Sequence, residues 1–256
     1  MKFEHTIPTI NQTENISPVQ VECVSGEREP AKFKVIIPDG YKYPVLPKKE
    51  KVEKGDILPM PEFVKQFPEL NELLFLNKDD LPFDSDGGIF FNLNFTSNPD
   101  SNFWESTLIL PKAINNIIAE ALMYETSINP QISDSLCYID IRVQKYRNRY
   151  WPNTSSSQPH FDGSPTNNSK ISFYTLSSPP STVVYGGEYD PEIKERNADA
   201  SLLNGEFKMT ASSMLPWQLI HSNYAVLHSQ PWGMLDDTEN IHSRFFIRVT
   251  FEPKRK

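Results

Sequence analysis

The residues best suited to chemistry are His160 and Asp162, in Pro159-His160-Phe161-Asp162-Gly163. Side chains alternate faces along an extended segment, so residues two apart project to the same side. An imidazole nitrogen and a carboxylate oxygen then meet where one cation takes both. A second histidine from a later strand would complete a two-histidine, one-carboxylate face with open positions, a ligand set suited to non-haem Fe(II) and oxygen chemistry. His228, at the end of Tyr224-Ala225-Val226-Leu227-His228, is best placed to supply it. His242, just before the last arginine-bearing strand, is its competitor, and His221, directly after Trp217-Gln218-Leu219-Ile220, comes third. The His-x-Asp triplet alone has little specificity, so the ligand assignment needs independent support.

The final strand supplies a second signal. In Arg244-Phe245-Phe246-Ile247-Arg248-Val249-Thr250-Phe251 the period-two rule puts Arg244, Phe246, Arg248 and Thr250 on one face. Phe245, Ile247, Val249 and Phe251 take the other. Two guanidinium groups on one face need anionic partners if that face is buried. A guanidinium fork matches a carboxylate in bidentate fashion, so a dicarboxylate cosubstrate would answer the need. An edge strand whose arginines face water explains the pattern equally well.

The ordered set His160-x-Asp162, His228, then Arg244 and Arg248 resembles the Fe(II)- and 2-oxoglutarate-dependent dioxygenases over about residues 135 to 251. The resemblance implies a double-stranded β-helix, or jelly-roll, with supporting helices from the N-terminal part. It also implies Fe(II) on His160, Asp162 and His228, and 2-oxoglutarate held by an arginine of the closing strand. Arginines four apart here look like those of the taurine-dioxygenase and clavaminate-synthase branch, where the first serves the cosubstrate. Arg244 is therefore the first choice for 2-oxoglutarate and Arg248 the second. Departing from the family pattern, the His228-to-Arg244 interval is wide, and Arg248-Val249-Thr250 also resembles the Arg-x-Ser signature of another branch. The activity implied is O2-dependent hydroxylation of a C–H bond with release of succinate and CO2. A small amino-acid-like or peptide substrate is the default. A cupin-like or jelly-roll binding protein without oxidative activity is the alternative.

The elements that must position these residues are mostly strands. Val19 to Val24 and Ala31 to Ile37 alternate apolar and polar residues around a turn-rich segment and predict a hairpin. Helical spacing of Phe63, Val64, Phe67, Leu70, Leu73 and Leu74, interrupted at Pro68, predicts two short helices or a kinked one over 61 to 76. Asp84-Ser85-Asp86-Gly87-Gly88 is a turn signal without the rest of a calcium loop. Ile89 to Phe95 is strand-like, and Pro111 opens the best helix, with Ile114, Ile117, Ile118, Ala121 and Leu122 on one face. Strands follow over 136–143, 171–176, 181–185, 217–220, 224–228 and 244–251, with an acidic excursion from Glu188 to about Asn204 long enough for a flap. The class expected is α+β, mainly β. N-terminal strands and supporting helices over 1–134 would pack on a jelly-roll core over 135–256, as one compact unit.

Composition narrows the partners. A net charge of −8 argues against broad phosphate-backbone binding, so nucleic acid is not the expected ligand. The basic run Lys145 to Arg149, interleaved with Tyr146, Tyr150 and Trp151, leaves room for a local basic groove. Two cysteines, Cys23 and Cys137, do not make a disulfide framework, and Cys137 in an apolar run reads as a buried free thiol. The N-terminus lacks the apolar core of a signal peptide and no window approaches a membrane span, so a cytoplasmic protein is expected.

Overall fold

Alternation along the last strand governs how the chain packs. In the computed structural model, which describes residues 19–45, 52–98, 101–147, 159–162, 171–192, 209–229 and 241–254, that strand is β12 (Ile241–Pro253). Phe245, Ile247, Val249 and Phe251 are fully buried in the main apolar core, while Arg244 and Arg248 face a cavity on the other side. Each such apolar side chain contributes about 1.5–3 kcal/mol on burial, so slipping the register by one residue is not tolerated.

The strands before it are β1 (Gln20–Cys23), β2 (Lys32–Ile36), β3 (Glu62–Gln66), β4 (Gly88–Asn98), β5 (Ser101–Glu105) and β6 (Ser135–Arg147). Then come β7 (Ser172–Ser177), β8 (Val183–Gly186), β9 (Thr210–Ser213), β10 (Gln218–Asn223) and β11 (His228–Ser229). The larger antiparallel sheet runs β1-β2-β5-β4-β6-β12-β7-β10-β3, and the smaller runs β11-β8-β9. The fold is mainly β, and β1 and β2 form the expected hairpin, paired antiparallel from Gln20↔Ile36 to Cys23↔Phe33. Strands from before residue 135 take both ends of the larger sheet and flank the block β6-β12-β7-β10 that follows it in sequence.

One helix, α1 (Lys112–Ile128), covers the core face of that sheet. Pro111 precedes it, and Ile114, Ile117, Ile118, Ala121 and Leu122 are buried, as its apolar stripe demands. Aromatic side chains fill the layer between helix and sheet. Trp104 meets Phe251 edge-on with centroids 6.0 Å apart, and Tyr174 meets the same ring at 5.7 Å. Cys137 lies buried there as a free thiol, its pKa pushed up by burial and then by the Glu125 charge. Among the described residues no helix is long and apolar enough to cross a membrane.

Two local expectations are corrected. Residues 62–66 form β3, an edge strand paired with β10, and only Asn71–Phe75 winds into a 3-10 turn. Pro61 and Pro68 leave too little chain between them to close a stable helical nucleus, and β10 offers the backbone bonds instead. Residues 224–227 form a turn, because the Asn223 Oδ1 accepts the Ala225 N–H at 2.8 Å in an Asx turn. Most of the proposed flap, the N-terminal arm and residues 148–151 of the basic run lie outside the described residues.

Backbone donors hold the Asp84 turn. Its Oδ1 accepts the N–H groups of Asp86 and Gly88, both at 2.8 Å. Gly87 adopts φ +75°, and a Cβ there would lie 2.3 Å from the Val143 carbonyl oxygen. Gly87→Ala is expected to destabilise the fold by about 1–3 kcal/mol, measured as a shift of the urea midpoint; an unchanged midpoint would contradict the β4–β6 register described here.

Candidate metal centre

Backbone pairing brings the two histidines together. His160 and His228 form an isolated antiparallel bridge, the His160 N–H donating to the His228 carbonyl at 2.8 Å and the His228 N–H returning to His160 at 3.0 Å. β11 in turn pairs with β8, His228 opposite Val184, so the bridge extends the smaller sheet by one more segment. Side chains of a directly opposed pair project to the same face. The two imidazole centroids are accordingly 4.5 Å apart.

Alternation along 160–162 adds the carboxylate. Phe161 turns away into a small apolar cluster with Leu58, Tyr185, Tyr189 and Leu227, which anchors the segment. His160 and Asp162 turn the other way and line the cavity with His228. The His160 Nε2 is 4.0 Å from Asp162 Oδ1, and the His228 Nε2 is 3.4 Å from Asp162 Oδ2. One donor atom from each of the three residues lies within 4.8 Å of the others, a spacing one ion can gather.

Protonation states suit the same purpose. The His228 Nδ1 lies 3.1 Å from the Val226 carbonyl oxygen, which accepts its proton and leaves Nε2 as the nitrogen with the lone pair. Burial lowers the His228 pKa against the pull of Asp162, favouring the neutral imidazole that a metal requires. Burial alone would raise the Asp162 carboxyl, but His228, Arg248 and His160 together outweigh it and hold the pKa below the usual value. Arg248 is the partner that persists once His228 is neutral, since a guanidinium stays charged. Its Nη1 donates to Asp162 Oδ2 at 2.8 Å.

Both arginines of β12 line this cavity, which encloses about 160 Å³ between the two sheets. An apolar cavity of about 150 Å³ admits a molecule the size of benzene. Arg244 is almost completely buried; its Nη2 donates to Thr182 Oγ1 at 3.2 Å and its guanidinium lies 5.3 Å from the Phe246 ring centroid. The Arg248 Nε is buried without a partner among the described residues, so the cavity retains an unused donor directed by a cation. Two imidazoles, an ionised carboxylate and this donor fit a divalent metal with a small anionic ligand.

His221, on β10, faces α1: its Nδ1 is 2.9 Å from Glu62 Oε2 and its ring stacks on Tyr174. His242 stands opposite Tyr146 in the β12–β6 ladder, and its side chain lies outside the described residues. Sequence reasoning overlooked Asp140, Arg142 and Gln144, which line the cavity from β6. Their period-two spacing within a recognised strand was the available signal, but only the β6–β12 pairing shows which side they join.

Adding Co(II) or Mn(II) is expected to raise the melting temperature, by the equivalent of about 2.7 kcal/mol at one hundred times the dissociation constant. The shift should vanish in His160→Ala and in His228→Ala, and its survival in both would place any metal somewhere else. No protein-family model matches the chain and no curated protein does, which leaves the geometry of the site as the guide to its function.

Proposed function

We propose that the protein is an Fe(II)- and 2-oxoglutarate-dependent oxygenase built on a double-stranded β-helix, hydroxylating a C–H bond of a small amino-acid-like or peptide substrate. The observation that carries the reading is a single cavity lined at once by His160, Asp162, His228 and the buried Arg244. Strand order supports the fold. Strands β6-β12-β7-β10 run antiparallel in one sheet, and β9, β8, β11 and the His160 segment run antiparallel in the other. Four strands against four, with ligands at the mouth between them, is the plan of a jelly-roll.

Three residues would hold the iron on one face and leave the opposite positions open. With Fe(II) bound, the chemistry supplied is O2-dependent decarboxylation of 2-oxoglutarate to succinate and CO2, coupled to placing one oxygen atom in the substrate. The chain's own groups do the rest. Arg244, fixed by Thr182, takes the distal carboxylate of the cosubstrate as a charge-assisted pair. Phe246, Ile220 and Val226 form apolar wall that keeps water from the reacting atoms. On the β6 side Asp140 and Arg142, paired with each other, give the cavity a polar wall.

Anaerobic titration with Fe(II) and 2-oxoglutarate should develop a weak visible absorption that His160→Ala abolishes, followed in air by release of succinate. No absorption and no succinate across an amino-acid and peptide panel would sink the oxygenase reading and favour a jelly-roll binding protein. Arg244→Met should raise the KM for 2-oxoglutarate by about 10- to 100-fold, the size of a lost charge-assisted bond, while Fe(II) binding persists. An unchanged KM would remove Arg244 from the cosubstrate site.

A further inference from the structure

Arg248 occupies the centre of a ladder of alternating charge. On one side its Nη1 donates to Asp162 Oδ2 at 2.8 Å; on the other its Nη2 lies 3.9 Å from Asp140 Oδ2. Asp140 stands directly opposite Arg248 in the β12–β6 register and is itself gripped by Arg142. The Arg142 Nε reaches both Asp140 oxygens at 3.1 and 3.2 Å, and its Nη2 reaches Oδ2 at 3.0 Å. The Phe173 ring, centred 5.6 Å from the Arg248 guanidinium carbon, limits motion from the β7 side. A guanidinium clamped by two carboxylates on neighbouring segments has one orientation open to it.

We infer that Arg248 is a positioning residue for Asp162: by holding Oδ2 it leaves Oδ1 as the single oxygen offered to a metal ion. The inference rests on the reading that His160, Asp162 and His228 bind a divalent cation. Asp162 Oδ1 lies 4.0 Å from His160 Nε2 and the clamped Oδ2 lies 3.4 Å from His228 Nε2, so both oxygens border the imidazoles and the guanidinium engages one of them. Were Oδ2 released, the carboxylate could chelate through both oxygens and close one of the positions that a cosubstrate and O2 need. Arg248 therefore acts on the count of open positions through Asp162. Asp140 and Arg142 extend the same support outward, holding the Arg248 fork from behind.

Water-proton relaxation of the Mn(II)-loaded full chain tests this directly, because relaxivity per bound ion follows the number of inner-sphere waters. In Arg248→Met the relaxivity per bound Mn(II) should fall by about one third, as one of three open positions is closed. A folded Arg248→Met that binds Mn(II) and retains the wild-type relaxivity overturns the inference. If Arg248→Met does not fold, Asp140→Asn, which loosens the fork from its far side, is measured instead. A smaller fall in the same direction supports the inference and an unchanged value overturns it. Wild-type protein that binds no Mn(II) at all overturns the metal reading itself, an outcome distinct from any seen only in the variants.

Discussion

Everything at the cavity depends on the paired backbone bonds between His160 and His228. Two segments 68 residues apart in sequence exchange N–H groups at 2.8 and 3.0 Å, and that exchange alone aligns two imidazoles on one face. The Phe161 anchor and the β8–β11 pairing serve to keep the two segments in register, so the site inherits the rigidity of the smaller sheet. A metal site held on strand backbone would need little rearrangement to accept an ion.

β12 joins that centre to the core. Its buried face locks the strand under α1 and the surrounding aromatics, which fixes the height and direction of Arg244 and Arg248 on the opposite face. Two cations facing inward are costly to bury unless they meet negative charge. Arg248 meets it in Asp162 and Asp140, and with His228 its charge helps hold the Asp162 carboxyl below its usual pKa. Arg244 sits deeper and donates to Thr182. The same alternation thus gives the fold its stability and the cavity its polarity.

Much of this arrangement was legible from residue spacing. The His-x-Asp triplet, the two-faced last strand and the stripe of α1 each express a local period, and local periods survive without knowledge of the fold. What was hidden is non-local. Residues 62–66 carry a helical pattern and become a strand because β10 needs an edge partner. Residues 224–227 look extended and turn because Asn223 captures the Ala225 N–H, which is what delivers His228 to its bridge. Asp140 and Arg142 showed a shared face but not which side it joins, since their significance comes from standing across from Arg248 and Phe246 in a ladder.

The central claim is that His160, Asp162 and His228 converge on one ion. Anomalous diffraction at the iron edge, from crystals loaded with Fe(II) without oxygen, tests it most directly. The account predicts one peak bonded to His160 Nε2, His228 Nε2 and an Asp162 oxygen. A peak at other residues, or none at full Fe(II) loading, would contradict it.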